Sequence, residues 1–548
     1  MPKCPACAVK NSLQRDKSVT RFYRTEPFEN GCCPTPPMGW NSWNYFKQDI
    51  NEKMLLEMAK AIKESGLFDA GYTYLNLDDY WEANSRDRLG KLDADMVRFP
   101  KGMKHFVSEC NKLGFKVGIY SSNGIQTCQS LPASLGNEYN DALQFATWGI
   151  EYLKYDYCYH RVYTKKAPYI FSVSFCKKGT DEEIVIGAEK AALSGTAKCV
   201  FGSCNYNIGS LTGAGKKARY IKGLDGGKGE ATFRFVADEE GEYVLTVNPR
   251  FRYRSTGMLH TVMAAVVVNK DDPVLIESPK MHRPCSQAPY RFATKLKKGE
   301  NIIRIFNPIF NRADSAVLNY MCMSNALTEA AQKVGGKPIA YSLCEWGRNK
   351  PWEWGDKCAN LWRTTGDIIW YWFRIRQIYE KNVTLYKYAS PGHWNDPDML
   401  EVGNGKLTLA ENKSHFTLWC MMAAPLLMGN DIVNMKKEHL DILTNKKVIA
   451  IDQDALGKQA KRVVKGSVDV LVRPLADGGI ALCIFNKGKM KKKYSYDLKA
   501  LLAEEYVKGY TAEEYVAEDL WTGEKQEARK LCATLDPHGV AVWKLTKK

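Results

Sequence analysis

Tyr152-Leu-Lys-Tyr-Asp-Tyr-Cys158 is a short strand candidate that sets one carboxylate among aromatic and aliphatic neighbours. Successive side chains of an extended segment face opposite ways, so Lys154, Asp156 and Cys158 share one face and Leu153, Tyr155 and Tyr157 the other. A cation two residues from Asp156 would hold that carboxylate ionised. Taken alone, the run reads as a strand end with a solvated Asp beside a Lys. Its place in a larger rhythm argues for more.

Upstream, Met38-Gly-Trp-Asn-Ser-Trp43 is a strand candidate. Glu52 to Ser65 then carries Met54, Leu55, Met58, Ala61 and Ile62 at helical spacing, ended by Gly66. A strand at Tyr72 to Asp79, a helix at Met103 to Leu113, a strand at Lys116 to Ser121 and a helix at Asn140 to Trp148 follow, so Tyr152–Cys158 is the fourth strand. Short links between alternating strands and helices predict parallel strands joined by right-handed crossovers.

Downstream the rhythm breaks. Glu230–Val236, Gly241–Val247, Thr261–Val268 and Asn301–Phe306, separated by Gly, Asp, Asn and Pro, predict a β-sandwich. Helical spacing returns at Ser315 to Val334. Four more strands are expected at Pro338–Glu345, Leu361–Asp367, His393–Asp398 and Met422–Asp431. The reading is therefore an α/β chain: a (β/α)8 TIM barrel formed by 35–159 and 315–460, interrupted by an inserted β-sandwich at 160–314. An antiparallel β domain at 461–548 follows the barrel, and 1–34 is an N-terminal tail. The two barrel segments sum to about 270 residues, near the roughly 250 usual for this fold.

Length and composition agree with this division. A chain of 548 residues with 45% hydrophobic and 25% charged residues is expected to fold as three or four soluble domains. The formal charge of +17 raises nucleic-acid binding, but Lys and Arg are spread along the chain. The densest run, Lys487, Lys489 and Lys491–Lys493, lies between strand candidates and is expected to be a solvated hairpin. No signal-peptide core and no membrane span are apparent, so no membrane partner and a cytoplasmic location are expected, or secretion if a leader was trimmed. Most of the seventeen cysteines, such as Cys420 and Cys483 in apolar runs, are expected to be free buried thiols. Cys4, Cys7, Cys32 and Cys33 are too loosely spaced, and His too scarce, to predict a zinc site; no metal or cofactor is expected.

A barrel places its active site at the C-terminal ends of its strands. Trp40, Asp78, Asp79, Tyr120, Lys154, Asp156, Glu345, Arg363, Asp367, Asp396 and Asp398 all fall at or near such ends. Converging carboxylates with aromatic walls and no metal motif point to glycoside hydrolysis, in which one carboxylate attacks the anomeric carbon and another protonates the leaving oxygen. The acid should lie in the drier or more negative setting. Lys154 suits an ionised nucleophile at Asp156. Asp367 suits the acid, although Arg363, four residues back on the same strand face, would lower its pKa unless turned toward Glu345 or the sugar.

Met38–Trp43, Leu77–Asp79, Gly118–Tyr120, Tyr152–Asp156, Ser342–Gly347, Trp362–Ile368 and Trp394–Leu400 resemble the signature segments of the melibiase-type α-galactosidases, family 27 of the glycoside hydrolases in clan D. Asp519–Gly523 and Pro537–Val540 extend the resemblance into the last domain. It implies a retaining exo-α-galactosidase acting by double displacement on carbohydrates with terminal α-galactose, with Asp156 as nucleophile and Asp367 as acid/base. It further implies that Asp78 and Asp79 bind the 4- and 6-hydroxyls, that Trp40 walls the pocket, and that Tyr120 and Lys154 complete it. Glu345 and Arg363 would hold the 2- and 3-hydroxyl side, and Trp346 and Asp398 join the substrate-binding set. An α-N-acetylgalactosaminidase would have small residues where Glu345 stands, and a β-L-arabinopyranosidase would not need the Asp78–Asp79 pair. Retention of both Asp156 and Asp367 weighs against a non-catalytic galactoside-binding protein.

Cys128 and Cys158 match a pair that is bridged in secreted relatives. The family pattern does not require the 160–314 insertion, which looks like a carbohydrate-binding module set on the active-site face, where it would border the pocket or mediate homo-oligomer contacts. Tyr243, Phe251 and Tyr253 are its candidate stacking residues, with core packing as their ordinary role.

Overall fold

The computed structural model describes residues 26–203, 217–251, 260–269, 273–277 and 289–548. They form two compact units, one of Phe28–Cys158 with Leu327–Lys548, the other including Tyr159–Ala326.

Eight strands of the first unit form one parallel sheet: β1 (Met38–Asn41), β2 (Tyr74–Asn76), β3 (Lys116–Ser122), β4 (Tyr152–Asp156), β5 (Ala340–Cys344), β6 (Leu361–Arg363), β7 (Trp394–Asp396) and β8 (Leu426–Met428). From β1 to β7 neighbours in sequence are neighbours in the sheet, and β8 pairs with β1. Leu400, just past β7, bridges Met428 of β8 and so closes the barrel. Register places Ser122 and Cys344 beside Asp156 at the end of β4. The fit is close: a Cβ on Gly118 would lie 2.0 Å from the Asn76 side chain.

The crossover helices follow from amphipathic spacing and caps. Helix α1 (Glu52–Glu64) is capped by Asn51, whose side chain accepts from the Met54 amide, and buries Leu55, Met58, Ala59 and Ile62. Helix α2 (Glu138–Trp148) ends at Gly149, whose φ of +88° suits a residue without Cβ. The observed strands are shorter than expected from sequence. β6 stops at Arg363, with the Thr364 amide making its last bond to the Asp396 carbonyl of β7, and Asp367 lies on the loop beyond, not on the strand face it was expected to share with Arg363.

The last part of the same unit is an antiparallel sheet of Lys461–Val464, Val468–Pro474, Ile480–Asn486, Val540–Lys547, Tyr515–Asp519 and Lys525–Ala528, with a further pair at Lys492–Asp497 and Lys530–Leu535. One expectation fails here. Lys487 is not a solvated hairpin residue: its ammonium lies 2.9 Å from both Glu380 and Asp469, two carboxylates that also hold Arg462. Lys489 and Lys491–Lys493 are exposed.

Two antiparallel sheets account for most of the described strands of the second unit. One has the order Tyr290–Leu296, Gly241–Arg250, Tyr169–Lys177, Lys217–Lys222, Lys198–Ser203, with Glu183–Gly187 added to Tyr169–Lys177. The other runs Val274–Glu277, Met263–Val268, Gly299–Phe306, Gly229–Ala237, Ala192–Gly195. Their apolar residues share a core that includes Ile170, Phe175, Phe233, Leu245, Val266 and Ile303. Tyr243 and Phe251 are buried, Tyr243 donating to the Glu239 carbonyl, so neither is a surface stacking residue; Tyr253 lies outside the described residues. Among the described residues, no helix is long and apolar enough to cross a membrane.

Candidate active site

Asp156 ends β4 with 6% of its surface exposed. The Tyr120 hydroxyl donates to Oδ2 at 3.0 Å and the Tyr157 amide to Oδ1 at 2.8 Å, fixing the carboxylate plane. Cys128 and Cys158 are joined as a disulfide against the same carboxylate. Lys154 was expected to hold Asp156 ionised, but its ammonium makes its short contact elsewhere, 2.6 Å from Asp78 Oδ2. Burial consequently pushes the Asp156 carboxyl up to about 6, against the charge of Lys154 and the Tyr157 amide.

The ends of β1 and β2 supply an acidic wall. Asp78 Oδ2 also accepts from Asn41 Nδ2 at 2.9 Å, and Asp79 Oδ2 accepts from the Gln129 amide at 3.0 Å. Burial raises Asp79 to about 6 despite a hydrogen bond from Thr127. Trp40 is fully buried, its indole N–H donating to the Asn430 carbonyl at 2.8 Å. The Lys154 ammonium stands 5.5 Å from the Tyr120 ring centroid, which ties this wall to Asp156.

Across the barrel, Arg363 is buried at the end of β6. It does not turn to Glu345. Its Nη2 lies 2.5 Å from Asp398 Oδ2 and 3.1 Å from Asp367 Oδ1, while Glu345 is held by the Asn349 amide and side chain. The Asp367 side chain is 73% exposed, and its pKa lies below the ordinary value: what burial it has opposes this, but Arg363 and Lys154 outweigh it. The expectation of a dry, proton-holding acid therefore fails. Trp346 is half-buried at φ +57°, with Arg348 over its ring at 4.5 Å. Asp398 takes φ +83°; its Oδ2 accepts from the Ile368 amide at 2.8 Å and so pins the loop that carries Asp367. Asp396, also buried, is raised to about 6.

Direct contacts thus join Asp78 with Lys154, Tyr120 with Asp156, and Arg363 with Asp367 and Asp398. Sequence reading missed Asn41, Asn349 and Gln129, which hold three of the site's carboxylates. Asn41 stood within a quoted strand-end segment, and a polar side chain at such an end was its signal; the other two lie on loops with no periodicity to mark them. Also missed was a buried cluster behind β7, where Asn44 and Asn404 donate to Glu401 and burial lifts that carboxyl to about 7.

The family model described as alpha galactosidase A matches residues 35–206 and 297–454, more than half of the chain. The chain belongs to the α-galactosidases of glycoside hydrolase family 27. A second model, the α-galactosidase C-terminal β-sandwich domain, matches 465–545. Alpha-galactosidase 2 of Arabidopsis thaliana is 31% identical, covering 95% of this chain and 91% of that protein. Alpha-galactosidase A of Cellvibrio japonicus is 29% identical over 94% and 92%. The crystal structure of α-galactosidase I from Mortierella vinacea is similar with a TM-score of 0.63 and 25% identity, covering 95% of this chain and 99% of that one. This chain is accordingly a glycoside hydrolase of the α-galactosidase family. The family match is interrupted at 207–296, within the β-sandwich unit.

Proposed function

We propose that this α-galactosidase-family chain is a retaining exo-enzyme that releases terminal α-D-galactosyl residues by double displacement. The observation that carries the reading is the pairing of an enclosed carboxylate, oriented by two donors, with an exposed carboxylate on the loop after β6. Asp156 attacks the anomeric carbon while Asp367 gives its proton to the departing glycosidic oxygen, leaving a galactosyl ester on Asp156. Asp367 then takes a proton from water, whose oxygen attacks the same carbon and restores Asp156. Each carboxylate's charge raises the other's pKa, so esterification of Asp156 lowers that of Asp367 as it turns from acid to base. Asp78 and Asp79 face the 4- and 6-hydroxyls as acceptors, with Trp40 as the apolar wall. The Lys154 ammonium, the Tyr120 hydroxyl and the Arg363 guanidinium supply donors around the ring.

The test is hydrolysis of nitrophenyl α-galactoside by the wild type, Asp156→Asn and Asp367→Asn, with the first-formed anomer followed by NMR. α-Galactose as the first product and loss of activity on changing Asp156 are expected. β-Galactose as first product, or activity that survives at Asp156, overturns the mechanism. Faster cleavage of an α-N-acetylgalactosaminide or a β-L-arabinopyranoside would overturn the roles of Glu345 or Asp78.

A further inference from the structure

The loop that carries Asp367 continues into an apolar run that nothing in the mechanism uses. Ile369, Trp370, Tyr371 and Phe373 are 47%, 37%, 62% and 67% exposed. Large apolar side chains left this open forgo a sizeable part of their burial free energy, and four within five residues form a patch, not scattered exceptions.

The patch is held rigidly beside the acid/base. At its start, the Ile368 amide donates to Asp398 and the Arg374 side chain donates to the carbonyls of Asp367 and Gly366 at 2.8 and 2.5 Å. At its end, Trp372 turns inward and stacks on His538 at 5.1 Å. Between them the Trp370 indole lies against the loop after β7: a Cβ on Gly405 would fall 2.3 Å from its Cδ1, and Gly405 sits at φ +62°. The indole therefore spans two barrel-mouth loops within three residues of the group that protonates the leaving oxygen. A segment fixed at both ends presents its aromatic faces without further ordering cost.

We infer that Ile369, Trp370, Tyr371 and Phe373 form an aglycone platform, a subsite that stacks against the apolar face of the leaving group, whether an aryl ring or the C–H face of a pyranose. This rests on Asp367 being the acid/base, because that role is what places the leaving group on this side of the mouth. The chemistry suits such an occupant. Aromatic rings bind a sugar or aryl face by area and C–H contact, while the neighbouring Asp367 remains solvent-facing until the aglycone covers it.

The test uses three donors on the full chain: nitrophenyl α-galactoside, an α-galactosyl-(1→6)-glucose disaccharide, and α-galactosyl fluoride, which has no ring to stack. Trp370→Ala is expected to lower kcat/KM about tenfold for the first two, mainly through KM, the scale of one lost aromatic contact. For the fluoride, and for competitive inhibition by galactose, less than a twofold change is expected, and Trp370→Phe should restore most of the loss. Loss on only the nitrophenyl or only the disaccharide donor supports the platform and identifies its occupant as aryl or pyranose. If Trp370→Ala does not fold, Tyr371→Ala, at a more exposed position, gives the same reading. Equal losses on all three donors, or none, overturn the inference. So does a change of oligomeric state on Tyr371→Ala with donor selectivity intact, because the patch would then be covered by a second copy. A wild type that cleaves none of the donors refutes the proposed function itself, and the platform with it.

Discussion

The ends of β4 and β6 carry the same functional group in opposite surroundings. Asp156 is enclosed, held by Tyr120 and Tyr157, and pushed up to about 6 by burial. Asp367 is open to solvent on a loop, paired with Arg363, and held below the ordinary carboxylate value. Under the proposed roles, this is the reverse of the proton order with which the reaction would begin. Asp367, the proposed acid, is the group whose ionised form is favoured, and Asp156, the proposed nucleophile, is the one nearer to protonation at neutral pH. Under the proposed mechanism an aglycone that dries Asp367 would favour its protonated form, so the enclosed end would supply geometry and the open end would respond to occupancy.

The comparison breaks most completely at the enclosed end. Asp156→Asn is expected to lower kcat on the order of 10⁴-fold or more for every donor, because no neighbouring group can replace the covalent step. Steady-state rates on nitrophenyl α-galactoside measure it, and a loss below tenfold would mean that another residue forms the intermediate. The open end should behave differently. Asp367→Asn is expected to cost about 10²- to 10⁴-fold with donors whose leaving group needs a proton, and far less with α-galactosyl fluoride. Equal losses on both donors would deny Asp367 the acid role.

How much of this was legible follows from what each feature depends on. The barrel was readable because Leu55, Met58 and Ile62 repeat at helical spacing and polar residues stand at the ends of short apolar strands. The insertion was readable because that rhythm stops after Cys158. The direction of Arg363 was not, because its buried partner, Asp398, arrives only after another crossover. Nor was the placement of Asp367 beyond the end of β6, since Leu361–Asp367 reads as one extended run although the strand ends at Arg363, the Thr364 amide making its last bond to β7. Tyr243 illustrates the limit for aromatics: period-two alternation places it on one sheet face, but only the packed sandwich shows that face to be the core.

The proton order itself can be read in a pH profile. With Asp156 near 6 and required ionised, and Asp367 depressed and required protonated, the active form is a constant minority between the two values and disappears outside them. The kcat/KM of the free protein should therefore be greatest on the acid side and fall about tenfold per unit as pH rises through 6. A plateau extending to pH 8 would show that Asp367 holds its proton and that the order inferred from exposure is wrong. Stability carries the same sign. Asp79, Asp156 and Asp396 at about 6, and Glu401 at about 7, bind more protons folded than unfolded, so their combined contribution weakens as pH rises from about 4 to 7.

A smaller change would sharpen the contrast by loosening the enclosed end. The Cys128–Cys158 bond closes a 30-residue separation and ties the loop after β3 to the end of β4. That loop also supplies the Gln129 amide to Asp79, and the Asn123 amide donates to the Asp156 carbonyl at 2.8 Å. Loop-closure entropy would set the stabilisation at about 3 to 4 kcal/mol, and these backbone bonds, which persist without the bridge, should reduce the observed loss. Cys158→Ser, or reduction with dithiothreitol, is expected to raise KM several-fold through the slackened Asp79 wall, with a lesser effect on kcat. Water admitted beside Asp156 should also move the decline of kcat/KM from near pH 6 to a lower value, toward that of an ordinary carboxylate. If KM rises and the profile stays in place, the bridge positions the Asp79 wall but does not keep Asp156 dry. Burial by its other neighbours, with the charges of Asp367 and Asp78, would then account for its raised pKa.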